Sequence, residues 1–294
     1  MKAIVFGGSG FLGSHVADAL EAAGYQTTIY DSRRSVYLKP SQEMIVGDVL
    51  DSANVDRAVK GCSVVYNFAG VADIDEANNR PLESVQVNIL GNSIILEAAR
   101  KAGVKRFVFA SSLYVYSKTG AFYRSTKQAC ELLIENYHEI FGLPYTILRY
   151  GSLYGPRAGE KNFIRTIIKQ ALIESKITRY GDGDEVREYI HVLDAAKGSV
   201  EILSEEFSNQ CVIITGNQQL KVKDLLTMIR EMLDNKITLE FLPPKESYHY
   251  EMTPYSFAPK AGKRLASRTY LDLSQGMLET MSDIYKEVNH PEKR

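Results

Sequence analysis

No run of about eighteen consecutive apolar residues occurs anywhere in the chain, so the sequence offers no membrane-spanning helix. The first apolar run, Ala3 to Phe6, is too short for a signal-peptide core. Neither end carries a block of Lys or Arg and the formal net charge is -1, so the electrostatic footprint of a nucleic-acid or anionic-membrane binder is missing. Cysteine is scarce: Cys62, Cys130 and Cys211 stand far apart, without the close pairs of a zinc site, and are expected to be buried thiols in a reducing cytosol. His15, His138, His191, His249 and His290 show no metal-ligand spacing either. These absences predict a cytoplasmic protein that works without a metal, a membrane or a nucleic acid.

What is present is ordinary globular composition, 45% hydrophobic and 24% charged, over 294 residues with no internal repeat. That length accommodates one α/β unit with a smaller lobe attached. Short apolar runs alternate with longer stretches of helical period through the first two-thirds of the chain, the pattern of repeated βαβ units. Strands are expected at Ala3 to Phe6, Thr27 to Tyr30, Met44 to Val46, Val64 to Phe68, Arg106 to Ala110 and Tyr145 to Leu148. Their near-continuous hydrophobicity suits a parallel sheet covered on both faces. Helices are expected at Phe11 to Ala23, Ser52 to Val59, Leu82 to Lys101 and Tyr123 to Phe141, each followed by a glycine placed to cap it: Gly24, Gly61, Gly103 and Gly142.

After Gly151 the rhythm changes, with Pro156, Gly159, Gly181 and Gly183 punctuating helices at Phe163 to Glu174, Val192 to Leu203 and Val222 to Leu233. The division expected is therefore a nucleotide-binding unit over residues 1–150 and a smaller α/β substrate lobe over 151–294, interleaved around one cleft. The segment Lys245 to Gly262, after Pro243-Pro244, reads as a lid or as a plain connector.

Gly7-Gly-Ser-Gly10-Phe11-Leu12-Gly13 follows the first strand and opens the first helix. In that setting glycines allow a tight turn and close approach to a pyrophosphate, while the helix N-terminus supplies free N–H groups and a positive dipole. A glycine-rich turn alone is weak evidence. Asp31 strengthens it by ending the second strand about twenty residues on, where a carboxylate accepts from adenosine ribose hydroxyls. A carboxylate there repels a 2′-phosphate and favours NAD, although Arg33 and Arg34 are the groups that would pair with that phosphate, so NADP stays open.

Tyr123 and Lys127, four apart at the start of a helix, share one face. An adjacent ammonium favours tyrosinate and brings a phenol nearer to service as a base. In a chain with 18 tyrosines such a pair is a chance pattern on its own. Downstream of a dinucleotide turn, and just after a strand closing on Ser111-Ser112, it gains meaning, because ligands of open parallel sheets lie beyond the carboxyl ends of the strands. Either serine is equally suited to capping a turn.

Taken in order, these residues resemble the extended short-chain dehydrogenase/reductase family, and within it the enzymes of nucleotide sugars similar to UDP-glucose 4-epimerase. The matching motifs are Gly7-x-x-Gly10-x-x-Gly13, Asp31, Gly47-Asp48-Val49, Asn67-Phe68-Ala69-Gly70, Asn88-Ile-Leu-Gly91, Ser112-x-x-Val115-Tyr116, Tyr123-x-x-x-Lys127, Leu148-Arg149-Tyr150, Leu153-Tyr154-Gly155-Pro156-Arg157, and Gly181-Asp182-Gly183 leading to Arg187-Glu188-Tyr189-Ile190-His191-Val192. They cover about two-thirds of the chain. The resemblance implies a Rossmann-type doubly wound parallel sheet with a smaller C-terminal α/β lobe. It makes Ser112, Tyr123 and Lys127 catalytic. It assigns Asp48 and Val49 to the adenine, Phe68, Ala69 and Gly70 to the pyrophosphate and ribose, Tyr150 to the nicotinamide end, and Asn88 to the same cofactor site. Arg187 falls to the substrate diphosphate, for which a guanidinium fork is suited; its plain alternative is a surface ion pair.

The departures bear on the reaction. Leu113-Tyr114 stands where 4,6-dehydratases of this family carry Asp-Glu, which disfavours dehydration. Ser152 takes the place of the usual Asn, Phe122 that of the common Pro, and the second diphosphate cation has no clean match, with Lys245, His249 and Arg268 as candidates. The expected function is an NAD-dependent nucleotide-sugar 4-epimerase working through a transient 4-keto sugar. The alternatives are a net oxidoreductase on a nucleotide sugar or small carbonyl compound, and, least favoured, a dinucleotide-sensing module without catalysis. By analogy the family implies a homodimer through the helices bearing Ile94, Ile95, Leu132 and Leu133; the competing reading puts both apolar stripes in the core.

Overall fold

The computed structural model describes residues 1–244 together with His249, Glu251, Met252 and Pro254, all within the unit Met1–Phe257. The strands are β1 (Lys2–Phe6), β2 (Gln26–Asp31), β3 (Glu43–Val46), β4 (Val64–Asn67), β5 (Arg106–Ser112), β6 (Tyr145–Tyr150), β7 (Ser152–Tyr154), β8 (Lys176–Tyr180), β9 (Val186–His191), β10 (Gln210–Ile214), β11 (Gln219–Lys221) and β12 (Thr238–Leu242). The α-helices are α1 (Phe11–Ala22), α2 (Ser52–Val59), α3 (Ile74–Asn79), α4 (Pro81–Val85), α5 (Gly91–Ala102), α6 (Ala121–Phe141), α7 (Phe163–Glu174), α8 (Val192–Glu201) and α9 (Val222–Met232).

Seven strands form an all-parallel sheet in the order β10-β6-β5-β4-β1-β2-β3. The chain winds outward in both directions from β1, and the crevice above the β1–β4 boundary is where such sheets hold ligands. Both faces are covered, as the apolar strands require. Ile4, Phe6, Phe107, Phe109 and Ile147 face Val55, Ile95, Leu96 and Ile134 of α2, α5 and α6. Their neighbours Ala3, Val5, Tyr66, Val108 and Leu148 face Val16 and Leu20 of α1 and Ala195 and Ala196 of α8. Each large side chain buried in this way contributes roughly 1.5–3 kcal/mol. The caps are local: Asp51 accepts the Asn54 N–H at the start of α2 and Asn162 the Arg165 N–H at the start of α7, each worth about 1 kcal/mol. Gly103 and Gly142 close α5 and α6 in the left-handed conformation, as their spacing predicts.

The six strands expected in the first half are all present. β5 and β6 run two residues further than expected, through Ser112 and Tyr150, because their ladders continue through Ser111↔Arg149 and Ser112↔Tyr150. The seventh strand, β10, comes from well beyond Gly151 and pairs with β6. Separate small sheets, β11-β9-β7 and β12-β8, lie against a third core built from α7 and α9 around Ile167, Ile177, Leu226 and Ile229.

The helix expected over Leu82 to Lys101 is instead α4, a wide π turn at Gln86–Leu90, and α5. The widening turns Asn88 toward the loop after β4, where its side chain binds both backbone groups of Val71. It also releases the Asn88 carbonyl to accept the Cys130 thiol of α6. Cys62 and Cys130 are buried free thiols, whereas Cys211 is exposed, contrary to expectation, because β10 is an edge strand. Among the described residues no helix is long and apolar enough to cross a membrane.

Candidate active site

The turn between β1 and α1 is built for close backbone packing. Gly7 has a positive φ of 74°, and a Cβ there would stand 2.6 Å from the Ala69 nitrogen; a Cβ on Gly13 would stand 2.3 Å from the Gly7 carbonyl oxygen. Only glycine fits either place, and the N-terminus of α1, beginning at Phe11 and Leu12 after Gly10, is left open to an anion. No side chain caps it. Asp31 is aimed at this turn: one carboxylate oxygen accepts the Ser9 N–H at 3.0 Å and the other the Arg33 N–H at 3.1 Å. A carboxylate has about four acceptor sites, so capacity for ribose hydroxyls remains. Arg33 itself is exposed.

The other sequence-marked residues ring the same crevice. The Asp48 carbonyl accepts the Tyr30 hydroxyl, its carboxylate accepts the Leu50 N–H, and Val49 is buried against Gly91. Asn67 accepts the Ala69 N–H, and Phe68 stacks on Tyr66. A Cβ on Gly70 would meet the Asn88 side-chain amide oxygen, Oδ1, at 2.8 Å. Asn88 also donates to Thr126, whose hydroxyl bonds the Tyr123 carbonyl, tying the loop after β4 to the helix that bears Tyr123. These residues, a glycine cradle with an acidic acceptor at its rim, fit a dinucleotide.

Beyond the ends of β5 and β6 opens a cavity of about 390 Å³, lined on one side by Ser112, Tyr123 and Tyr150 and on the other by Ser152, Arg179, Arg187 and His249. Lys127, one turn after Tyr123, is only 6% exposed. Its ammonium donates to the Ala110 carbonyl at 2.7 Å and lies 4.7 Å from the Phe109 ring centroid and 5.8 Å from that of Tyr123. Desolvation pulls its pKa below that of a free lysine.

The two serines of β5 part company. Ser111 turns away and donates to Glu131 at 2.5 Å, and Glu131 is clamped by Nε and Nη2 of Arg149, at 3.1 and 2.6 Å, while Nη1 of Arg149 donates to the Tyr116 hydroxyl. Ser112 borders the cavity, its oxygen accepting the Tyr114 N–H at the start of a short 3₁₀ turn. The Tyr150 ring borders the cavity too, but its hydroxyl is turned into the core, 2.6 Å from Ser199, where burial raises the phenol pKa. Arg187 donates to the carbonyls of Val186 and Glu251 rather than lying on open surface.

Of the candidate second cations, His249 reaches the cavity, while Lys245 and Arg268 lie outside the described residues, as does most of the Lys245 to Gly262 segment. Sequence reasoning missed Arg179, Lys161 and Asp73. Arg179 pairs with Glu185 and sits over Phe163, and no spacing in the sequence announces it. Asp73 was readable: Asp73-x-x-Glu76 is a capping pattern, and Asp73 does accept the Glu76 N–H, opening α3 on the cavity wall.

Comparison with known proteins agrees with this geometry. Residues 3–214 match the NAD dependent epimerase/dehydratase family. The chain is 28% identical to a putative UDP-glucose 4-epimerase of Methanocaldococcus jannaschii, over 93% of this chain and 95% of the relative. It is 27% identical to a UDP-N-acetyl-alpha-D-glucosaminuronate decarboxylase of Bacillus cytotoxicus, over 84% and 85%. Among solved structures it is similar to the UDP-glucuronic acid 4-epimerase of Bacillus cereus in complex with UDP-glucuronic acid and NAD, with a TM-score of 0.78 and 26% identity over 88% of this chain and 90% of that one.

Proposed function

The chain belongs to the NAD-dependent epimerase/dehydratase family, and we propose that within it the protein is a nucleotide-sugar 4-epimerase acting through a transient 4-keto sugar. The observation that carries this reading is a single cavity edged by Ser112 and Tyr123, with the Lys127 ammonium buried behind them and Leu113-Tyr114 in place of an acid pair. Gly7, Gly10, Phe11, Leu12, Gly13, Asp31, Asp48, Val49, Phe68 to Gly70 and Asn88 would hold NAD, with Asp31 favouring it over NADP. When bound, NAD takes up the C4 hydrogen as hydride and gives it back.

Tyr123 withdraws the C4 hydroxyl proton and later returns it, a role worth roughly 10²–10⁴-fold. Lys127 steadies the phenolate by its charge, and Ser112 donates to the C4 oxygen. Arg187 and Ser152, both on the cavity wall, grip the substrate. Relatives of several activities support the substrate class, and the 4-epimerases among them support the reaction. The protein works in the cytosol, as a homodimer through α5 and α6. Ile95 belongs to the core, but Leu132, Ile140 and Phe141 of α6 are exposed apolar side chains, and a monomer mass by light scattering would refute the dimer.

The deciding experiment incubates the purified protein with UDP-, GDP- and dTDP-hexoses and resolves isomers by NMR. Formation of a C4 epimer without net cofactor reduction is the expected result. Stoichiometric appearance of reduced cofactor would instead make it a dehydrogenase.

A further inference from the structure

The cavity contains a second phenol beside the first. Tyr114 and Tyr123 meet edge to face with ring centroids 6.0 Å apart, and both line the cavity wall. The Tyr114 hydroxyl lies 2.6 Å from Nδ1 of His249, which lines the same cavity. The Tyr114 ring is seated against bare backbone: Gly120 has a φ of 95°, and a Cβ there would stand 2.7 Å from the ring. Its own N–H is held by Ser112. A hydroxyl in hydrogen-bond contact with an imidazole is the arrangement that turns a weak acid into a working base. Transfer at the C4 hydroxyl, assigned above to Tyr123, leaves this pair without a task.

We propose that Tyr114 and His249 form a second proton-transfer pair, acting on a carbon adjacent to the carbonyl of a 4-keto sugar held at Tyr123. The inference rests on the 4-keto reading above and extends it to the neighbouring carbon. Hydrogens next to a ketone are acidic because the electron pair left behind spreads into the carbonyl. The C–H bond breaks as its proton passes to the Tyr114 oxygen, while the Tyr114 proton passes to Nδ1 of His249, which serves as the Nε2–H tautomer. The electron pair forms a carbon–carbon double bond to C4, and the C4 oxygen takes the negative charge, where Ser112 and Tyr123 donate to it. Return of a proton from the imidazolium through Tyr114 restores the ketone. No electrons leave the sugar, and exchange at the imidazolium replaces the original hydrogen with one from solvent. Desolvation in the cavity and the charge of Arg187 keep the His249 imidazole below its ordinary pKa, hence neutral and able to accept.

The test uses the NAD-loaded protein in D2O with dTDP-4-keto-6-deoxyglucose and its UDP counterpart, reading deuterium at C3 and C5 by NMR. These probes enter after the hydride step, so their result is independent of whether a C4 epimer forms from UDP-hexoses. Exchange well above the buffer blank, slowed at least about 10²-fold in both Tyr114→Phe and His249→Gln, is the expected outcome. NAD binding verifies that each variant is folded. No exchange by the parent protein overturns the proposal, as does exchange at the parent rate in either folded variant. Exchange on the keto sugars with no epimerisation of the UDP-, GDP- or dTDP-hexoses keeps this inference and overturns the 4-epimerase reading alone.

Discussion

Lys127 donates to the carbonyl oxygen of Ala110 at 2.7 Å, so the ammonium is fixed to the last inward residue of β5 before the serine pair. That bond makes the lysine a rigid part of the sheet's edge, held against the Phe109 ring and shielded from water. Burial favours its neutral form, yet the chemistry needs its charge, a conflict of the kind that marks working sites. In Lys127→Met, kcat/KM falls at least about 10²-fold. At neutral pH that variant melts no lower than the parent, since a desolvated charge has gone with its one hydrogen bond. The sign follows from the depressed pKa: between the folded and the unfolded values the unfolded chain holds the extra proton, so parental stability from this group rises with pH and the advantage of the variant fades. Thermal melts of both proteins between neutral and alkaline pH check this.

Tyr123→Phe leaves the ring and its contact with Tyr114 in place and removes only the proton carrier. Turnover falls about 10²–10⁴-fold with little change in NAD affinity. Ser112→Ala costs about 10²–10³-fold, the loss of one donor to a developing oxyanion. Steady-state kinetics together with cofactor titration separate these effects from misfolding.

Ser111, by contrast, belongs to structure. Glu131 is enclosed by its hydroxyl and by Arg149, and all three are largely buried. Glu131→Leu leaves a guanidinium without its counter-charge and costs about 3–5 kcal/mol in urea unfolding. Ser111→Ala costs about 1–3 kcal/mol and spares the chemical step. A Ser111→Ala variant that unfolds normally but loses turnover would reverse the assignment of the two serines.

Asp31→Ala removes the acceptor at the rim of the glycine turn and frees the N–H groups of Ser9 and Arg33. NAD binding weakens about tenfold, one charge-assisted hydrogen bond's worth, and the preference for NAD over NADP narrows. Calorimetric titration with both dinucleotides measures the ratio.

His15, on α1 beneath the same turn, is buried with its ring 3.0 Å from the Pro156 carbonyl, and desolvation lowers its pKa. Arg157, Asp18 and His191 face it, Arg157 and His191 reinforcing the shift and Asp18 and the Pro156 carbonyl opposing it. Its contribution is intact above the unfolded histidine pKa of about 6.5 and declines as the pH falls below that, levelling off once the folded imidazole also protonates. Urea midpoints therefore drop on acidification, and His15→Gln flattens that part of the curve.

The parallel sheet was legible because its strands are apolar on both faces, and the cofactor turn because glycines there meet backbone at distances no side chain tolerates. Tyr123 was marked by its spacing from Lys127, and Ser112 and Arg187 by resemblance to the motifs of the family; all three line one cavity. What stayed hidden depends on contacts distant in sequence. The role of Ser111 is decided by Glu131 and Arg149, twenty and thirty-eight positions away. β10 joins the sheet from sixty residues beyond its partner β6, and a short half-exposed strand carries no sign of which sheet it will enter. Tyr114 registered only as a missing acid, since a lone tyrosine gives no hint that a histidine 135 residues on will close upon it.

The wide turn at Gln86–Leu90 amounts to a one-residue insertion inside a continuous helical rod. Deleting any one of its five residues would rewind the rod as plain α-helix and swing everything before it by about 100° relative to α5. Asn88 would then leave the Val71 peptide, Thr126 would lose its anchor, and the segment bearing Asp73 would be carried off the cavity wall. A single lost codon, in a turn that carries no proton-transfer group, would be enough to unlatch the floor of the catalytic chamber.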